Sequence, residues 1–93
     1  MQFEWDEAKS QSNLQKHGLS FADAPLVFDG RTLTFEDVRQ DYGEPRYLTV
    51  GILEGRVVII AHTLRGSVTR IISMRKGNAR ETLRYQERLE KSG

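Results

Sequence analysis

From Arg46 to Leu53 the apolar positions alternate, with Leu48, Val50 and Ile52 on one side of an extended chain. That period of two is the pattern of a half-buried strand. Glu54-Gly55 is a two-residue hairpin signal. Arg56 to Leu64 follows, with the run Val57 to Ala61 apolar and rich in β-branched residues, as in a buried strand. Arg65-Gly66-Ser67 supplies a second turn, and Val68 to Met74 a further strand that Gly77-Asn78 breaks. Asn78 suits a helix N-cap, and Glu81 three residues later completes a capping box for a C-terminal helix.

The first half is more polar. Gln2 to Trp5 alternates like an edge strand. Asp6 can cap a helix running to about His17, with Gly18 as its stop. Ala8 and Leu14 are nearly its only apolar residues, and Lys9, Asn13 and Lys16 share a face, either solvated or the wall of a site. Ser20 starts a second helix, short because of Pro25, whose Phe21, Ala24 and Phe28 point inward; Asp29-Gly30 closes it. Thr32 to Phe35 reads as a strand and Glu36 to Pro45 as a polar loop. The order predicts one α+β domain over residues 1–93. Its antiparallel sheet has about four to five strands, with two N-terminal helices and one C-terminal helix.

Composition narrows the classes. The chain has 93 residues, 38% hydrophobic and 29% charged, the make-up of an ordinary globular domain. No run approaches the roughly 20 apolar residues of a membrane span, and the acidic, polar amino terminus is not a signal peptide. Zero cysteines exclude disulfides and thiolate metal sites and fit a cytoplasmic location. The net charge of +1 hides an asymmetry: Arg65 to Arg88 holds seven Arg/Lys and two acids, a local +5, against −4 elsewhere.

Three sets of residues carry candidate chemistry. The first is Arg65, Arg70, Arg75, Lys76 and Arg80, whose guanidinium forks suit phosphate oxygens. The competing reading pairs these cations with internal acids, so that every arginine between 65 and 80 sits in a salt bridge. Strand alternation puts Arg70 and Arg75 on opposite faces unless a bulge or the strand's end reorients one. Arg75, with Thr69, Ile71 and Ser73 and beside the helix start, is the better anion site. Arg70, if it is directed at the core layer, needs a carboxylate partner. The second is His62, on the strand face with Val58 and Ile60, either a hydrogen-bonded core residue or a catalyst. His17 reads as a charge at a helix C-terminus. The third is Glu81, with Arg84 and Tyr85: a capping acid, or a well-placed carboxylate held ionised by arginines. Arg80, Arg84 and Arg88 form a self-repelling helical stripe that suits a polyanion.

Phe3-Glu4-Trp5-Asp6, Lys9, Asn13, Lys16-His17-Gly18, Ser20-Phe21 and Ala24 resemble the amino-terminal signature of BrnT toxins. Gly55-Arg56-Val57, Arg70-Ile71-Ile72-Ser73, Arg75-Lys76, Glu81 and Tyr85 resemble the rest. Met74 and Gly77 stand where alanine is usual, Gly77 loosening the helix start, and Pro25 departs from the second helix. The resemblance implies a RelE-like fold and the toxin of a type II toxin–antitoxin pair, an endoribonuclease that inhibits translation. It implies neutralisation by a BrnA antitoxin with a ribbon-helix-helix domain, through which alone the toxin reaches operator DNA. The alternative is a non-catalytic, antitoxin-binding co-repressor module. The residues permit a metal- and cofactor-free cleavage by the RNA's own 2′-OH. Arg65 and Arg75 are then the phosphate clamps, with Lys76, Lys9 and the Arg80 stripe in support. Glu81 or His62 takes a proton, and Tyr85 or His62 donates one. Trp5 either stacks a base or anchors the core.

Overall fold

Strands form where β-branched residues are densest. A computed structural model describes residues 1–92. Its central strands are β3 (Tyr47–Leu53), β4 (Arg56–Arg65) and β5 (Val68–Lys76), with β1 (Gln2–Glu4) and β2 (Leu33–Glu36) at the edges. The helices are α1 (Glu7–His17), α2 (Ala24–Phe28) and α3 (Ala79–Ser92). The two hairpins close as their turn residues require. Glu54 and Gly55 both have positive φ, at 51° and 77°, between the paired Leu53 and Arg56. Gly66, at 63°, turns β4 into β5.

The five strands lie in the order β1-β5-β4-β3-β2. The sheet is mixed, not purely antiparallel as expected, because β1 runs parallel to β5 through Gln2–Val68, Phe3–Thr69 and Glu4–Arg70. Nothing in a three-residue alternation says which distant strand it will join or in which direction. The second helix also departs from expectation. Phe21–Asp23 is a 3-10 turn, capped by the Ser20 hydroxyl on the Ala22 amide, and only Ala24–Phe28 is α-helical. Pro25 sits in the first turn of that helix, where its missing N–H is harmless.

One face of the sheet carries α1, the 3-10 turn and α2. There Leu19, Phe21, Ala24, Val27, Leu53, Val58, Ile60, Ile71 and Met74 form the main core, flanked by Phe3, Trp5 and Phe28. Gly51 lets α2 sit down on β3: a Cβ there would meet Val27 Cγ1 at 2.7 Å. The other face carries α3, which buries Tyr85 against Val50, Val57 and Ile59, with Leu33, Leu48 and Leu89 alongside.

The polar helix α1 docks by hydrogen bonds instead of apolar contact. Its buried residues are Ser10 and Asn13. The Ser10 hydroxyl accepts from the Phe21 amide at 3.1 Å. Asn13 donates to the Leu19 carbonyl at 2.9 Å and accepts from the Met74 amide at 3.1 Å. Since β1 covers β5 only as far as Arg70, Asn13 supplies the partner that a longer edge strand would have given Met74.

Candidate active site on the sheet face beneath the C-terminal helix

A bulge decides which side chains meet. His62 pairs with Ile71 and Ala61 with Ser73, so Ile72 is the extra residue of β5. Beyond it the alternation reverses. Met74 joins Ile71 in the main core, and Arg75, opposite Ile59, lies on the α3 face. Arg75 therefore does not share a face with Thr69 and Ile71, as an unbroken strand predicts. Arg70, opposite Thr63, lies on the α3 side too. It is met by the carboxylate of Glu4 at 3.0 Å, the partner its sequence context demanded.

Arg75 meets the start of α3. Its Nη1 donates to Glu81 Oε1 at 2.8 Å and its Nη2 to Oε2 at 2.7 Å, a planar fork-to-fork pair. Glu81 is also the capping-box acid. Its carboxylate accepts the Asn78 amide at 2.9 Å while the Asn78 side chain accepts the Glu81 amide at 2.8 Å. Gly77 does not loosen this junction. Its amide donates to the Val57 carbonyl at 2.9 Å, and an added Cβ would lie 2.8 Å from Val57 Cγ1, so alanine there would push on β4.

The Arg75 fork, helped by the Asn78 amide, holds the Glu81 carboxyl down at about 2, well below its ordinary 4.5. Glu81 in turn raises Arg75. At neutral pH the pair is fully ionised. It opens on a cleft of about 670 Å3 between α3 and the sheet, floored by Leu33, Phe35, Leu48, Val50 and Ile59. Arg84, Arg88, Lys91 and Glu87 stand around it. Among the described residues, Arg80, Arg84 and Arg88 form no ion pair, whereas Arg65, Arg70 and Arg75 each do. The basic stripe is thus unanswered by acids among the described residues, contrary to what a plain solvated domain predicts.

Tyr85 lines the same cleft, 3% exposed, but its hydroxyl donates to the Arg31 carbonyl at 2.5 Å, and burial raises its pKa. That proton is committed to holding α3 against the chain before β2.

The remaining candidates are not brought to this cleft. His62 is on the α2 face, 5% exposed, between Phe28 and Tyr47, with Nε2 at 2.7 Å from the Thr49 hydroxyl. Burial lowers its pKa, so it is a neutral core residue. Lys76 follows Arg75 and so points to the other face, where its Nζ approaches Gly18. Lys9 is exposed on α1, and Trp5 packs against the main core with its indole N–H on Glu7 at 3.1 Å. Arg65 lies at the β4–β5 turn, six residues from the partner of Arg75 and roughly 20 Å along the strand. Its nearest acid is Glu44 at 3.8 Å. Arg80 is exposed at the start of α3, outside the cleft lining.

One region read only as a polar loop turns out to be built. Asp37 is buried, and Arg39 donates to it from Nε at 2.8 Å, from Nη2 at 2.7 Å and from its amide at 3.1 Å. The Tyr42 hydroxyl donates to the same carboxylate at 3.0 Å, and Arg46 lies over the Tyr42 ring at 4.2 Å. Arg39 above all holds the Asp37 carboxyl far below the usual range. The i, i+2 spacing of acid and arginine was the available sign.

Among the described residues no three His, Asp or Glu side chains gather as a metal site, and no helix is long and apolar enough to cross a membrane. No curated protein matches the chain. A family model does, over residues 5–81: the one described as ribonuclease toxin, BrnT, of type II toxin-antitoxin system. The match runs from Trp5, just past β1, to the capping box, and it ends on Glu81.

Proposed function

The chain belongs to the BrnT family of ribonuclease toxins of type II toxin–antitoxin systems, and on that premise we propose that it cleaves RNA in the cleft beneath α3, with Arg75 as the central phosphate ligand. The observation that carries this reading is the Arg75–Glu81 fork opening on a cleft edged by unpaired cations. The 2′-hydroxyl gives its proton to solvent as its oxygen attacks the adjacent phosphorus. The P–O5′ bond breaks, the leaving O5′ takes a proton from solvent, and a 2′,3′-cyclic phosphate and a 5′-hydroxyl result. Charge builds on the phosphorane oxygens, and Arg75 and Arg84 stabilise it. Glu81 fixes the Arg75 fork and is the carboxylate nearest the incoming 2′-OH. With its pKa near 2 it is a poor base, so rate enhancement comes chiefly from positioning and charge. His62 is placed for neither proton transfer. The proposed cleavage uses no metal, since the phosphorane charge is assigned to Arg75 and Arg84.

The physiological consequence is inhibited translation in the cytoplasm. The partner is a BrnA-like ribbon-helix-helix antitoxin that also links the toxin to operator DNA. The RelE-like kinship implied by the sequence belongs to the same proposal. Incubation of single-stranded RNA with the protein in the presence of a chelator tests it: cyclic-phosphate ends are expected, and intact RNA at every protein concentration sinks the reading. The second reading, a non-catalytic co-repressor, is favoured by one observation: the Glu81 carboxylate and the Tyr85 hydroxyl are both engaged. It predicts tight binding to the antitoxin with no growth arrest on expression.

A further inference from the structure

We infer that Arg39 forms a second phosphate subsite, for a backbone phosphodiester of single-stranded RNA, on the same sheet face as Arg75. The inference deepens the ribonuclease reading and rests on it. Three observations support it. The first is placement. The Asp37 amide donates to the Arg46 carbonyl at 2.7 Å, which carries the β2–β3 ladder one step past Glu36 and Tyr47. Alternation from Phe35 and Leu48, both lining the cleft, then puts Asp37 and Arg46 on the cleft side. The Arg39 charge is felt at Arg75, where it opposes the effect of Glu81.

The second is construction. An exposed arginine is normally a loose chain whose ordering costs entropy. Here the side chain is 71% exposed, yet two of its N–H groups are fixed on a buried carboxylate. Tyr42 holds that carboxylate in turn, with Arg46 stacked over its ring. Both Nη1 protons and one on Nη2 are left to face solvent, a preorganised fork for phosphate oxygens. The third is the layout of charge. Arg75 on β5 and Arg84 and Arg88 on α3 line the cleft, and Arg39 stands on the β2–β3 loop that continues its Phe35–Leu48 floor. A strand crossing the apolar floor between them meets cations on both sides, and Phe35, 52% exposed, offers a ring on which a base can stack.

The test is binding of a fluorescent single-stranded RNA made uncleavable by 2′-O-methyl groups, across a salt series. Wild type, R39A, R39K, R75A and R56A are compared; Arg56 is exposed at the start of β4, outside the cleft lining. R39A should weaken binding about tenfold and flatten the salt slope by about 0.7, as for one lost phosphate contact on a single strand. R39K keeps the charge and the Asp37 pair. It should retain the slope yet bind about threefold less tightly for want of the fork. R56A should match wild type. Should R39A fail to melt cooperatively, R39K alone carries the test. Wild-type affinity and slope in the folded Arg39 variants, with binding lost in R75A, overturns the subsite. Antitoxin binding lost while RNA binding is kept overturns it too, reassigning Arg39 to the protein partner. If wild type itself neither binds nor cleaves RNA, the ribonuclease reading fails first and this inference with it.

Discussion

The two faces of the sheet use polar residues in opposite ways. On the α1–α2 face Ser10, Asn13, Thr49 and His62 are buried, and each has a hydrogen-bond partner within the fold. On the α3 face the cleft is lined by charged, partly exposed residues, Arg75, Glu81, Arg84 and Arg88. Burial without charge builds a structure; charge held in place at a surface builds a binding site. The difference teaches that a histidine and an arginine equally prominent in the sequence are sorted by which face of one sheet they occupy.

The largest way to break this contrast is to remove Arg75. R75A should lower single-turnover RNA cleavage by about 10²–10³, the usual effect of deleting a group that stabilises transition-state charge. Its melting temperature should barely move, since the pair is partly exposed. A cleavage loss accompanied by unfolding would place Arg75 among the structural residues instead. On the other face, N13A strands the Met74 amide and the Leu19 carbonyl in a buried site. It should cost roughly 2–6 kcal/mol in denaturant unfolding, at 1–3 kcal/mol per orphaned group, while cleavage per folded molecule is unchanged. Wild-type stability would show that α1 is not docked through Asn13.

Y85F sharpens the boundary between the faces, because Tyr85 touches the cleft yet serves the fold. Losing the bond to Arg31 should cost about 1 kcal/mol and leave the cleavage rate within twofold; a much slower enzyme would return Tyr85 to proton transfer. The smallest effects are in pH. The folded pKa of His62 is depressed by burial, so its stabilising contribution is complete above the unfolded value near 6.5 and declines as pH falls below it. Glu81 behaves alike in a lower window, its contribution present above about 4.5 and lost towards about 2. Unfolding free energy should fall between pH 7 and 5 in wild type, and that part of the slope should vanish in H62Q. A slope unchanged in the variant assigns the titration elsewhere.

Local elements were legible because their signals are local. Glu54-Gly55, Gly66, the Asp6 and Gly18 caps and the Asn78–Glu81 box all act within four residues, and each is where the sequence places it. What was not legible depends on distant partners. The direction of β1 follows from an open edge on β5 that only the folded sheet presents. The bulge at Ile72, bearing no glycine or proline, is what puts Arg75 beneath α3 and Met74 in the core. Adjacent cations such as Arg75 and Lys76 look like one cluster in the sequence and are separated by the thickness of the sheet. The Asp37–Arg39 fork was overlooked because a loop of mixed charge carries no periodicity to show that it is rigid.

The central claim is that RNA lies on the α3 face. The most direct test is a backbone amide NMR titration of the protein with uncleavable 2′-O-methyl single-stranded RNA. The account predicts shifts concentrated in three segments, residues 37–46, 73–75 and 81–88, with α1 and α2 silent. Shifts centred on α1 and β1, around Lys9 and Trp5, with the Arg75 region unmoved, would contradict it.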